Sequence, residues 1–470
     1  MGLLSQEKIE KIDSAGRHIL EEVGFSIPHQ GILARLKAAG AEVNLGDKRV
    51  RFPGPWLDEM LSKAPRRFIL YARDGKNDLE VGTQNVYFGN GGRVFRVLDM
   101  GTGGVRPTIL RDVVNTARIV HALENIRFYV ISCQAHDVAP EYYHLNDFFH
   151  AFNNTTKHVM GGCDTVEGVR QVWRLASHIA GGEDHLRERP FVSVITNPIS
   201  PLTLDPGTLE IFEFCLVHGL PVTCAPAPIA GATAPATLAG TLVQMHAESL
   251  AGVALSQCLL SGAPVLYGAV PMAMDLRNME LSMGSVETSM MSTCAVQLAK
   301  RYNLPIYASA GVTDAKVPDI QSGFEKGVSY LLVGMAGADY IHLAAGMLDS
   351  GNSISYEQFI IDNEIIGMTN RVLKGIDVNE STLALDCIER VGPGGNYITE
   401  EHTIDHMFDQ FFYPALSVRM NFDLWEEREK PTPLTLANEL VHEWTETGET
   451  VLDPEQVLEI KEKFPGIVTP

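Results

Sequence analysis

The residues of this chain best suited to chemistry sit where short apolar runs end. Phe88, Phe95, Tyr267, Tyr307 and Tyr356 each fall at or just after such an end. Electron-rich ring faces attract a quaternary ammonium group, which has no hydrogen to donate. Any one of these rings also serves as core filler, so their convergence would be the informative event. Arg93 and Arg96 flank Phe95 and suit either a bound carboxylate or a solvated hairpin. Polar candidates follow the later runs: Asp314, Lys316, Asp319, Gln321 and His342. Lys316 stands close to two aspartates, which favours an ion pair over a Schiff base. His158, Cys163 and Cys224 would bind a metal only if the fold drew them to one point. Buried free cysteines and one structural histidine are the simpler expectation, and no metal is assigned. The glycine clusters at 101–104 and 392–395 match no phosphate loop and read as turns.

The elements that must position these residues recur roughly every 30 to 40 positions, between 29 and 44 from one start to the next. Apolar runs occupy 86–89, 128–133, 157–161, 191–196, 221–225, 265–268, 306–309 and 340–343. Pro190, Pro221, Pro264 and Pro305 open or precede four of them, where a strand tolerates a missing N–H. Stretches with helical spacing lie between. The pattern predicts an α/β fold, a (β/α)8 TIM barrel, whose chemistry belongs at the C-terminal strand ends. Asn90-Gly91-Gly92 predicts a turn after the first strand, followed by a second extended run at 94–98. Three regions are expected: an N-terminal helical cap over 1–80, the catalytic barrel over 81–350, and a C-terminal helical extension over 351–470 packed on the barrel.

Net charge is −21 over 470 residues, which argues against nucleic-acid binding. Seven cysteines, an odd count without CxxC pairs, suit a reducing cytoplasm. The first residues carry no basic and apolar pair of regions of the secretory type. One uncharged window, 222–244, has the length of a membrane span. Pro226, Pro228 and Pro235 interrupt it, so it reads as strand, loop and helix start, and no membrane partner is expected.

Several stretches carry a family resemblance: Gly91-Gly92-Arg93, 158–164, 268–274, 308–321 and 344–364. The most specific are Ser309-Ala310-Gly311-Val312-Thr313-Asp314-Ala315-Lys316-Val317-Pro318-Asp319, and Ser355-Tyr356-Glu357-Gln358 with Asp362-Asn363-Glu364. Over residues 6–414 the chain resembles the trimethylamine methyltransferase family. The resemblance implies methyl transfer from a methylated amine to the cobalt of a corrinoid, supplied by a separate corrinoid protein and not bound tightly here. Archaeal trimethylamine enzymes of this family use pyrrolysine, whereas every position here is a standard residue. That departure points to quaternary amines, glycine betaine first. In this reading Phe95 and Tyr356, with Phe88 or Tyr267, form a cationic cage. Arg93, Arg96 or His342 holds a substrate carboxylate, and Asp314, Glu287 and Gln321 order the pocket or a water. A homo-oligomer is expected. The alternatives are a zinc-dependent barrel acting on a thiol or alcohol, decided by metal analysis, and a non-catalytic betaine-binding protein.

Overall fold

Eight parallel strands close into a barrel in a computed structural model that describes residues 2–446 and 450–470. They are β1 (Tyr87–Asn90), β2 (Ile126–Val130), β3 (His158–Gly161), β4 (Val192–Thr196), β5 (Val222–Cys224), β6 (Val265–Ala269), β7 (Ile306–Ser309) and β8 (Tyr340–Ala345). Each strand pairs with the next, and β8 returns to β1. All eight expected runs are barrel strands. The helices alternate with them: α1 (Leu110–Ala122), α2 (Tyr143–Asn154), α3 (Val166–Ala180), α4 (Pro206–Val217), α5 (Leu238–Leu259), α6 (Val286–Arg301), α7 (Ile320–Ala336) and α8 (Tyr356–Lys374). Six of them start on a side-chain cap at the mouth end: Thr165, Asp205, Thr237, Ser285, Asp319 and Ser355 each accept from a backbone N–H of the first turn.

Two small sheets rim the mouth. In one, Arg96–Asp99 pairs antiparallel with Gly104–Pro107 and parallel with Ser353–Ile354. The other joins Ile229–Ala230, Met272–Asp275 and Glu280–Ser282. The uncharged window at 222–244 resolves into β5, a loop and the start of α5, and among the described residues no helix is long and apolar enough to cross a membrane. Helix α5 is buried along most of its length, covered by the helices Gln6–His18 and Gly54–Lys63. Its one charge, Glu248, accepts from Ser200 Oγ at 2.7 Å and Leu202 N at 2.9 Å.

The expected region boundaries shift in two places. The N-terminal cap contains strands as well as helices, because the alternation Arg49-Val50-Arg51 turns Val50 into the core between two neighbours. The break at 350 divides the last β/α unit: α8 packs on α7 and α1 and completes the helical ring, so the barrel extends to Lys374. The motif at 355–364 explains this. Asp362 accepts from Lys326 Nζ, Gly346 N and Gln358 Nε2, tying α8 to α7 and to the loop after β8. Asn363 accepts from Asn125 N, and Glu364 from Ala415 N, Ser417 N and Ser417 Oγ.

Asp13, on the helix Gln6–His18, accepts from Arg301 Nε at 2.9 Å and from the Tyr302 hydroxyl, and pairs with His246 Nε2 at 3.0 Å. Burial alone would raise its carboxyl; these hydrogen bonds outweigh it and hold the group down at about 2. A depressed carboxyl contributes stability above its unfolded value near ~3.9, on the order of 2 kcal/mol, and loses it as pH falls toward 2. Asp13→Asn is therefore expected to flatten the fall of melting temperature between pH 4 and 2; an unchanged acid slope would contradict this.

Candidate active site

Neighbouring residues of paired parallel strands share a face. Tyr307 pairs with Tyr340, and His342 lies two positions further along β8, so all three face the barrel interior. Their rings stack, with centroids 5.5 Å apart for Tyr307–Tyr340 and 5.0 Å for Tyr307–His342. Phe128 of β2 extends the row, lying on Tyr340 at 3.6 Å. It reaches across β1 because Gly89 opposite it has no side chain: a Cβ there would stand 1.9 Å from the Phe128 ring. The Tyr307 and Tyr340 hydroxyls and His342 Nδ1 are buried and have no hydrogen-bond partner among the described residues. Burial pushes both phenols well up and the imidazole down to about 3, so all three are neutral at pH 7.

A second polar group lies past the ends of β1 and β3. Arg93 Nη1 donates to both Asp164 oxygens at 3.1 and 3.0 Å, and His144 stands 3.3 Å from the same carboxylate. The His144 hydrogen bond, then Arg93, hold Asp164 well below the usual carboxylate range. Arg93 Nε and Nη2, the side-on edge of the guanidinium, are buried without a partner. So are both oxygens of Asp147 on α2, whose carboxyl burial pushes up to about 8. Burial outweighs the pull of Arg93 and favours the protonated form of Asp147, and no hydrogen bond joins Asp147 to the free edge of Arg93.

The loops after β6, β7 and β8 are tied together by Asp314. It accepts from Ser282 Oγ at 2.5 Å, Gly284 N at 2.9 Å and Ser350 Oγ at 2.7 Å. Gln321 donates to Glu325 at 2.9 Å, and Glu325 accepts from Asp314 N. Asp314 and Lys316 line a 510 Å³ cleft with Asp275 and Glu280. Lys316 pairs with Asp349, the ion pair its position predicted, though with neither nearby aspartate. Glu287 is exposed on the first turn of α6.

Three of the expected cage rings are not at the mouth. Phe88 alternates with the inward Gly89 and packs outward, edge-on to Tyr330 of α7 at 5.8 Å. Tyr267 also faces outward, its hydroxyl 2.7 Å from His246 of α5. Tyr356 sits between α8 and α1, donating to Asp112, which Arg106 also grips. Phe95 is exposed on the rim, edge-to-face with His136, and Arg96 is exposed on the adjoining strand. Phe95 thus stands apart from the other proposed cage members. Phe128, Tyr340 and Asp147 are the residues the sequence reading passed over. Tyr340 and His342 sit two apart in one run, the one signal that could have placed them on a shared face.

His158 is held by Tyr71 O at 2.9 Å and Ser193 Oγ at 2.8 Å, while Cys224 packs outward on Gly252 of α5. They do not meet with Cys163, and no group of three His, Cys, Asp or Glu side chains converges among the described residues. Burial raises the thiols of Cys133 and Cys163 well up and that of Cys224 to about 12. None is a thiolate at neutral pH, so the strand ends lack a cysteine nucleophile.

A model of the trimethylamine methyltransferase (MTTB) family matches residues 1–464. The chain belongs to that family. It is 36% identical over 406 residues to trimethylamine methyltransferase MttB of Desulfitobacterium hafniense, covering 86% of this chain and 82% of that one. It is 32% identical to a glycine betaine methyltransferase of the same species, covering 92% and 89%. The monomethylamine methyltransferase MtmB of Methanosarcina barkeri shares the fold, with a TM-score of 0.54 at 12% identity over 96% of this chain and 89% of that one.

Proposed function

We propose that this protein transfers a methyl group from a carboxylate-bearing quaternary amine, glycine betaine foremost, to the reduced cobalt of a corrinoid carried by a separate protein. Arg93 carries this reading: its buried side-on edge is unpartnered, and that edge matches a carboxylate with two parallel hydrogen bonds. The neutral ring row supplies a floor without a competing anion, suited to a trimethylammonium head. A glycine betaine methyltransferase stands among the chain's relatives, which supports the same substrate class.

The chemistry asks little more of the protein. The methyl–nitrogen bond breaks with its electron pair staying on nitrogen, so the leaving group is a neutral tertiary amine and needs no proton. The cobalt supplies the electron pair of the new bond. The chain's residues orient the amine, neutralise its carboxylate and exclude water. The absence of a thiolate at the strand ends fits an acceptor brought from outside.

Incubation with reduced cob(I)alamin and a panel of amines tests the proposal through the spectrum of the methylated corrinoid. Glycine betaine is expected to be turned over and trimethylamine not. Conversion of no quaternary amine would refute the proposal.

A further inference from the structure

Two carboxylates accompany one guanidinium beyond the ends of β1 and β3. Asp164 takes Arg93 Nη1 and lies largely in solvent, its side chain 65% exposed. Asp147 is 1% exposed, and neither of its oxygens has a partner among the described residues. It stands one turn after His144 on α2, so both present to the same side of that helix. His144 Nε2 accepts from Asp164 N at 3.0 Å, which places this side of α2 against the Arg93–Asp164 pair. One cluster thus holds two unpartnered donors on Arg93 and two unpartnered oxygens on Asp147 that do not bond each other.

The charges present limit what can bind. With Asp147 and Asp164 both ionised, a substrate carboxylate would be a third anion around a single guanidinium. In a poorly solvated site that repulsion is far stronger than in water. A resident carboxylate must therefore be neutral before a substrate carboxylate enters. Asp164 does not qualify, because His144 and Arg93 keep it ionised. Asp147 does, since it is buried without a donor to hold its charge. Once its proton leaves, the carboxylate and the side-on edge of Arg93 are natural partners, and the edge is lost to the substrate. A quaternary amine without a carboxylate makes the opposite demand, because an added negative charge attracts it. The other titratable groups around Asp147 are Cys133 after β2 and Cys163 after β3, both held neutral by burial. Behind Cys133, Asp112 of α1 is gripped by Arg106; on α3, Glu167 and Arg170 pair with each other at the surface.

We propose that Asp147 sets the choice between carboxylate-bearing and bare quaternary amines: protonated, it leaves Arg93 to the substrate carboxylate, and ionised, it claims Arg93 and excludes that carboxylate. The proposal rests on Arg93 as the carboxylate anchor. Calorimetric titration of the full chain with glycine betaine and with tetramethylammonium at pH 7 and pH 9 tests it. Betaine binding is expected to weaken about 10-fold from pH 7 to 9, the loss for a group that titrates at about 8, while tetramethylammonium binds no more weakly at pH 9. At pH 9 each betaine bound should take up about one proton, read from the difference in heat between Tris and borate buffers. Asp147→Asn, which cannot ionise, should lose both the pH dependence and the proton uptake. The proposal falls, with the anchor intact, if wild type binds betaine equally well at both pH values, takes up no proton, or loses tetramethylammonium in parallel. It falls equally if Asp147→Asn keeps the wild-type pH dependence; should that variant not fold, the wild-type heats decide. Betaine that does not bind at pH 7 would overturn the anchor and this proposal with it.

Discussion

Lys326→Met is expected to cost about 3–5 kcal/mol of folding stability, a large share of what a domain possesses. Lys326 Nζ lies 2.9 Å from Asp362 Oδ2 and 2.6 Å from Gly311 O, and both charged side chains are fully buried. Methionine keeps the volume and deletes the charge, leaving Asp362 unpaired in an apolar interior. The pair also connects the mouth: Gly311 follows β7, and Gly346, which donates to Asp362 at 2.8 Å, follows β8. Methyl transfer should therefore fall together with stability. Lys326→Met/Asp362→Asn removes the orphaned charge while keeping an acceptor for Gly346, and should regain part of the loss. Urea denaturation of the single and double variants decides it. A cost below 1 kcal/mol, or a double variant no more stable than the single one, would contradict the assignment.

Arg93→Lys is expected to weaken glycine betaine binding by about 30- to 4,000-fold, the range for truncating one partner of a buried, charge-paired contact. Lysine keeps a cation for Asp164 but has no planar side-on edge, so the loss isolates the carboxylate contact from the general charge of the site. Tetramethylammonium, which has no carboxylate, should bind both proteins about equally. Calorimetric titration of the two ligands into the two proteins gives the comparison. Equal losses for both ligands would mean that Arg93 acts by holding the loops through Asp164, and would remove its role as carboxylate anchor.

The barrel was legible because its signals are local. Apolar runs at regular spacing, prolines at strand starts and polar caps at helix starts are each read within a few residues, and all eight strands followed from them. The long matches at 309–319 and 355–364 were legible for the same reason, though much of their content is structural. Asp314, Gln358, Asp362 and Glu364 fasten loops, helix and extension to one another, Asp362 through Lys326 of α7. The site was less legible. Which face of a strand a residue occupies depends on its register with strands distant in sequence, and a shift of one position exchanges inside for outside. Phe88 and Tyr267, expected at strand ends, lie inside β1 and β6 and point into the helical layer. Phe128 and Tyr340 are 212 positions apart and meet only because Gly89 of the strand between them leaves room.

The sequence by itself determined the fold class and the family. Those follow from periodicity and contiguous motifs, which are properties of short stretches of chain. Only the tertiary structure decided which rings face inward, and that Arg93 keeps a buried edge free while Asp147 goes unpaired. Each of these depends on what lies opposite a side chain in space, and barrel closure sets those neighbours by joining strands that are far apart in sequence.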